Sequence, residues 1–186
     1  MAPRWLVLAM AMAVSGCTLL PPQPAPPVVY DFGSTSPATV PSGLPAALQV
    51  QAPPWLDGAA LVYRLEYTDA ARLASYRDSR WAATPAALLG EQLRQRLARS
   101  GAQRPLLLRV DIEEFCQVFS APTRSRGVVR LRATLADSAS GRVLRQQAFE
   151  QQVDAATPDA AGGAHALARA ASEVAARLLD WSAQPA

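Results

Sequence analysis

The feature that most limits what this chain can fold into is a pair of long alternating segments in its second half. Over residues 106–115, Leu106, Leu108, Val110 and Ile112 fall on one side and Leu107, Arg109, Asp111 and Glu113 on the other. Over residues 128–136, Val129, Leu131, Ala133 and Leu135 oppose Arg130, Arg132 and Thr134. A period of two is the pattern of a strand with one buried and one wet face. The turn-rich stretch 137–141 followed by a strand over 143–153 extends this into a hairpin. A sheet of this kind must bury its apolar side against another layer.

Helices supply that layer. Thr84 and Pro85 combine an N-cap hydroxyl with a proline at the first helical position. Leu89, Leu93 and Leu97 follow at helical spacing with Leu88 beside them, Arg94, Arg96 and Arg99 enrich the end, and Gly101 is placed to close it. A second, Ala-rich helix is predicted over 158–181, with Leu167, Ala171, Val174, Leu178 and Trp181 along one stripe. Upstream, shorter strands are predicted over 28–33, 46–51, 59–67 and 73–81. They are punctuated by Gly33, Pro53-Pro54 and the Asp57-Gly58 turn pair. The expected fold is α/β: a single compact domain over 28–183, with a mixed, mostly antiparallel sheet and two main helices packed on it.

The N-terminus is of another kind. Arg4 precedes an apolar run from Trp5 to Val14, the length of an export-signal core and too short to span a bilayer. Val14-Ser15-Gly16-Cys17 resembles a bacterial lipobox, in which the Cys17 thiol takes a diacylglyceryl group. Residues 1–16 are therefore expected to be a removable signal peptide. Pro21 and Pro22 argue against a continuing helix. Residues 17–27 read as a lipidated cysteine on a Pro-rich tether, which in polyproline II form rises about 3.1 Å per residue. Each buried methylene of an acyl chain contributes about 0.8 kcal/mol, so two or three chains anchor permanently. Thr18, rather than Asp, follows the cysteine. By resemblance to lipoprotein sorting, this points to the outer membrane.

Composition excludes more than it assigns. All eighteen basic residues are Arg, which reads first as the codon bias of a GC-rich genome, and the formal charge is only +3. An exported chain meets little nucleic acid, so no nucleic-acid partner is expected. With Cys17 lipidated, Cys116 has no partner for an internal disulfide and is expected to be a small core residue. His165 is the only histidine, and one histidine with one thiol gives no ligand set, so neither metal nor cofactor is expected. No phosphate-binding glycine loop is present, and Gly162-Gly163 alone is too weak to count as one. Glu113 and Glu114 should point to opposite faces and so cannot converge on a substrate; a solvated face plus a bulge is expected. The densest basic group is Arg124, Arg126, Arg130 and Arg132, a candidate surface for an anionic headgroup or an acidic partner, weighed against a plain solvated sheet face. Tyr63, Arg64, Arg80 and Trp81 read as packing residues, with an arginine able to lie across a ring.

Several of these segments together carry a family resemblance: Cys17 closing the lipobox, Tyr30-Asp31-Phe32-Gly33, Pro54-Trp55-Leu56-Asp57-Gly58, Val62-Tyr63-Arg64, and Arg80-Trp81-Ala82 leading into the first helix. In order and spacing the chain resembles the ABC-type transport auxiliary lipoproteins, the PqiC-like group, over most of residues 17–181. It departs from them in having Trp55 where the family usually has Tyr. The resemblance implies a compact α/β fold and a non-enzymatic role on the periplasmic face of the outer membrane. It also implies a partnership with an MCE-domain protein and its ABC transporter complex, moving phospholipid between membranes, and self-association into rings. The competing expectation is a structural lipoprotein that brace an envelope assembly without a transport role; a hydrolase acting through Cys116 or His165 is a third, weaker one.

Overall fold

A computed structural model describes residues 25–33, 40–101 and 103–185; the expected signal peptide, Cys17 and the expected tether up to residue 24 lie outside the described residues. Seven strands form one sheet: β1 (Val28–Tyr30), β2 (Leu44–Gln51), β3 (Ala60–Leu65), β4 (Leu73–Trp81), β5 (Gln103–Ala121), β6 (Arg124–Asp137) and β7 (Val143–Asp154). Two helices, α1 (Pro85–Arg99) and α2 (Ala160–Ala183), pack on it. The sheet is open, mixed and two-layered, as the alternation requires. β5–β6, β6–β7 and β3–β4 pair antiparallel, and β1–β4, β2–β5 and β3–β5 pair parallel.

β5 organises the topology. One of its edges carries β6 along almost its whole length. Its other edge is shared: β2 runs beside residues 103–111, and β3 beside residues 117–119. β1 and β4 extend the sheet beyond β3, and β7 closes the opposite edge.

The residues predicted to face the core do so. Leu106, Leu108, Val110 and Ile112 of β5, and Val129, Leu131, Ala133 and Leu135 of β6, are buried. They meet Leu167, Ala171, Val174, Leu178 and Trp181 of α2, and Leu89, Leu93 and Leu97 of α1, all buried as well. Thr84 caps α1, its hydroxyl accepting from the Ala87 amide at 3.2 Å. Gly101 does not close that helix in the left-handed form; the Ser100 amide donates to the Leu97 carbonyl instead. Asp159 caps α2 by accepting from the Gly162 amide at 2.8 Å. In the β6–β7 turn, Gly141 takes φ +70°, a conformation that L side chains rarely adopt.

Two expectations need correcting. The first strand stops at Tyr30 rather than Gly33, because the Asp31 carboxylate accepts from the Gly33 amide and turns the chain away. Phe32 then folds inward between Trp81 and Phe115, at ring distances of 5.5 and 5.7 Å. The strand expected to end at Phe115 continues to Ala121. Its extension was hidden because Cys116, Gln117, Val118 and Phe119 are all buried, so alternation fades where both faces are covered.

Candidate functional site

With both helices on one side, the other side of the sheet is covered by its own side chains. Registers place Arg126, Arg130 and Arg132 of β6 on this side, opposite Val118, Glu114 and Asp111 of β5. Arg64 of β3 joins them beside Val118. The sequence expectation that Glu113 and Glu114 point to opposite faces fails here. A bulge after Ile112 inserts Glu113 as an extra residue, and both carboxylates turn toward the arginines.

The result is a ladder of ion pairs across four strands. Arg132 meets Glu113 at 2.7 Å, and Arg130 meets Glu114 at 3.0 Å and Glu150 of β7 at 2.9 Å. Arg64 donates to the second oxygen of Glu114 at 2.7 Å, and Arg126 reaches Glu66 at 3.2 Å. Glu114 is buried, which the expectation of a solvated carboxylate did not foresee. Two guanidiniums bind it, which offsets the cost of taking the carboxylate out of water. Hydrogen bonds from Gln152 and Arg130 hold the Glu150 carboxyl below the usual carboxylate range. Of the four arginines singled out in the sequence, three are thus brought together and matched by acids. Arg124 sits apart at the first position of β6, beside the β5–β6 turn, and is exposed. With Arg126 it lines a polar cavity of about 350 Å3, beside Ser120, Thr123, Ser125 and Asp154.

Cys116 lies beneath this ladder, fully buried, its thiol 3.4 Å from Glu114. Burial, reinforced by the Glu114 charge, pushes the thiol up to about 12, so at neutral pH it is an inert core group. His165 is exposed on α2, edge-on to Tyr30 at 6.1 Å. Among the described residues, no group of three or more His, Cys, Asp or Glu is arranged to hold a metal. Arg64 does not lie across a ring as expected; the arginines that do are Arg145 over Trp181 at 4.9 Å and Arg177 over Phe149 at 5.9 Å. Trp81 is buried in packing, while Arg80 and Trp55 are exposed.

A residue that sequence reasoning passed over joins the layers. Gln117 is fully buried, accepts from the Tyr76 hydroxyl at 2.9 Å, and donates to Ser125 at 2.8 Å and to the Asp159 carbonyl at 3.1 Å. It therefore ties β4, β5 and β6 to the start of α2. Burial, with the nearby Tyr63 and Asp159, pushes the Tyr76 hydroxyl up to about 12. The signal that could have found it was Gly162-Gly163. A Cβ at Gly163 would stand 1.9 Å from the Gln117 amide oxygen, and one at Gly162 would strike Thr157. The glycines make room for packing.

Residues 30–178 match the model of a family described as the ABC-type transport auxiliary lipoprotein component. The chain belongs to that family. Two solved structures share its fold. A Xanthomonas campestris protein of the DUF330 family is 20% identical with a TM-score of 0.70, the match covering 86% of this chain and 92% of that one. An uncharacterised protein is 15% identical with a TM-score of 0.63, covering 84% and 99%. No curated protein matches the sequence. For this auxiliary lipoprotein, no described helix is long and apolar enough to cross a membrane. The matched region contains the whole ion-pair ladder and the Gln117 junction.

Proposed function

We propose that this auxiliary lipoprotein is a non-enzymatic docking subunit held on the periplasmic face of the outer membrane by lipid on Cys17. There it receives the MCE-domain component of an ABC system that moves phospholipid between membranes. The observation that carries the reading is the family match over the whole folded domain. Thr18 after the cysteine supports the outer membrane. The ladder supports a role in binding: its arginines and glutamates are paired with one another across a sheet face, and the Cys116 thiol beneath them is buried and protonated. Within that face, Arg130 and Arg132 hold the sheet together. Arg124, with Arg126, is where an anionic headgroup or acidic partner surface fits, because Arg124 is exposed at the rim of a polar cavity.

Affinity purification of the tagged, lipidated protein from detergent-solubilised membranes tests the partnership. Co-recovery of an MCE-domain protein is expected; its absence, with the domain folded by circular dichroism, counts against the reading. The anchor is tested separately. Cys17→Ser should leave an unprocessed or soluble species, and unchanged membrane fractionation would refute lipidation at that residue.

A further inference from the structure

We propose that the end of the sheet carrying the β3–β4 turn is the domain's contact with the bilayer, with Tyr67 and Leu73 resting in the lipid interface. The inference rests on Cys17 being the anchor. It starts from the direction in which the chain leaves the fold. β1 runs parallel to β4, with Val28 beside Ser79 and Tyr30 beside Trp81. Followed backward from Val28, the chain therefore heads toward the start of β4. Residues 25–28 border Arg77 and Asp78 along that path, and four positions further on is Leu73, roughly 13 Å away at strand spacing.

Chain length then limits which surfaces can reach the membrane. Eight residue steps separate Cys17 from Ala25, so the anchor lies at most about 28 Å from Ala25 even when fully extended. The β3–β4 turn is well inside that radius. The β6–β7 turn is outside it. Arg80 lies opposite Ala60, and Tyr63 lies beside Gln117, so Val28 sits near the level of Glu114. From there to Leu106, which faces Asp137 at the mouth of the β6–β7 turn, is about 26 Å. Ala25 is three residues further back, which puts the far turn roughly 36 Å away, opposite to the direction of exit.

The near end has the surface an interface requires. Tyr67 is 47% exposed and Leu73 38%, two of the few large apolar side chains left in solvent. At the same turn, on the face of β4 opposite Leu73, a cavity of about 190 Å3 opens, lined by Tyr63, Leu65, Ala74, Thr68, Asp69 and Arg72. An apolar floor with a tyrosine and an arginine at the rim matches the headgroup boundary, where aromatic and long basic side chains keep their polar ends wet. The β5–β6 turn with Arg124 lies at the same end, because β3 and β5 run parallel and Leu65 pairs with Phe119. The Arg126–Glu66 ion pair joins the two turns into one surface.

The test uses the full lipidated protein in vesicles of phosphatidylethanolamine and phosphatidylglycerol doped with nitroxide-labelled lipid. A thiol-reactive fluorophore is placed at Thr68→Cys, Ser140→Cys or Ala148→Cys. All three sites are exposed, and the buried Cys116 stays unlabelled in the folded domain. Quenching several-fold stronger at Thr68→Cys than at the other two is expected. Quenching at Ser140→Cys or Ala148→Cys equal to or above that at Thr68→Cys overturns the orientation while leaving the anchor standing. Failure of the protein to float with the vesicles overturns the anchor and the orientation together.

Discussion

Gly127→Ala is the sharpest test of how α2 is seated on the sheet. Gly127 lies in β6 directly under α2, and a Cβ there would stand 2.6 Å from the Leu167 amide nitrogen and 2.7 Å from the Ala166 carbonyl carbon. Both are backbone atoms, so no rotamer change relieves the clash. Ordinary contact begins near 3.4 Å, and the helix must lift by roughly 1 Å to restore it. Overpacking of this kind costs about 1–3 kcal/mol. Replacing glycine also removes freedom from the unfolded chain, which offsets that by about 0.4–1 kcal/mol. The lift would further strain the Gln117–Asp159 bond, which spans the same gap. A net loss of about 2 kcal/mol is expected, or roughly 4–8 °C in Tm for a domain of this size. Gly58→Ala is the matched control: its added Cβ meets nothing within 4 Å and its φ is ordinary. Thermal and urea unfolding of the folded domain, followed by circular dichroism, measures both. If Gly127→Ala unfolds at the same point as Gly58→Ala, α2 does not sit where the close approach puts it.

Three further outcomes follow from the polar interior. Glu114→Gln removes the charge that Arg64 and Arg130 share and should cost about 2 kcal/mol in urea unfolding, less than the roughly 3–5 kcal/mol of a fully buried pair because both arginines can partly rehydrate. Stability should fall as pH rises from about 9 toward about 12. Cys116 and Tyr76 are protonated in the fold and ionise at ordinary pH once unfolded, so their contribution is complete below pH 9 and lost above it. Urea midpoints across that range check it, and Tyr76→Phe should flatten the slope. Asp159→Ala should lose about 1 kcal/mol with the α2 cap. Hydrogen bonds from the Gly162 amide and Thr157 lower the Asp159 pKa, so the stability it adds is present at neutral pH and drains away as pH falls below the ordinary carboxylate range. Asp159→Asn should keep most of the cap and blunt that acid loss.

The long elements were legible because their signals are local. Alternation in 106–115 and 128–136, the Leu89-Leu93-Leu97 stripe and the Thr84-Pro85 start each need only a short window of sequence, and each lies within the element it announces, though β5 and β6 run beyond their patterns. What was not legible depends on partners distant in sequence. Nothing in residues 46–51 or 59–67 says that both pair parallel to the same edge of β5, since parallel pairing leaves no turn to announce it. The four arginines were visible as a cluster, but the acids that match three of them come from β5, β7 and the β3–β4 turn. Gln117 was invisible because a buried amide looks in sequence like any polar residue until its three partners converge.

The charge pattern of the open face also decides what kind of contact it can make. Arg64, Arg126, Arg130 and Arg132 are each held by a glutamate of the same fold, and the burial of Glu114 means that its pairs cannot be exchanged without a desolvation cost. A partner that approached the centre of the ladder would have to break those pairs before making its own. The cheaper contacts lie at the margins. One is the exposed turn of Arg124; the other is the β7 edge, where Glu150 is 40% exposed and one strand edge is free of the sheet. The ladder is therefore best understood as what lets a sheet stand with helices on one side only. Its long arginine stems shield Cys116, Val118 and Val128 from water while their heads remain satisfied. The core holds the two ends of the sheet and its outer strands, β1 and β7, in fixed relation.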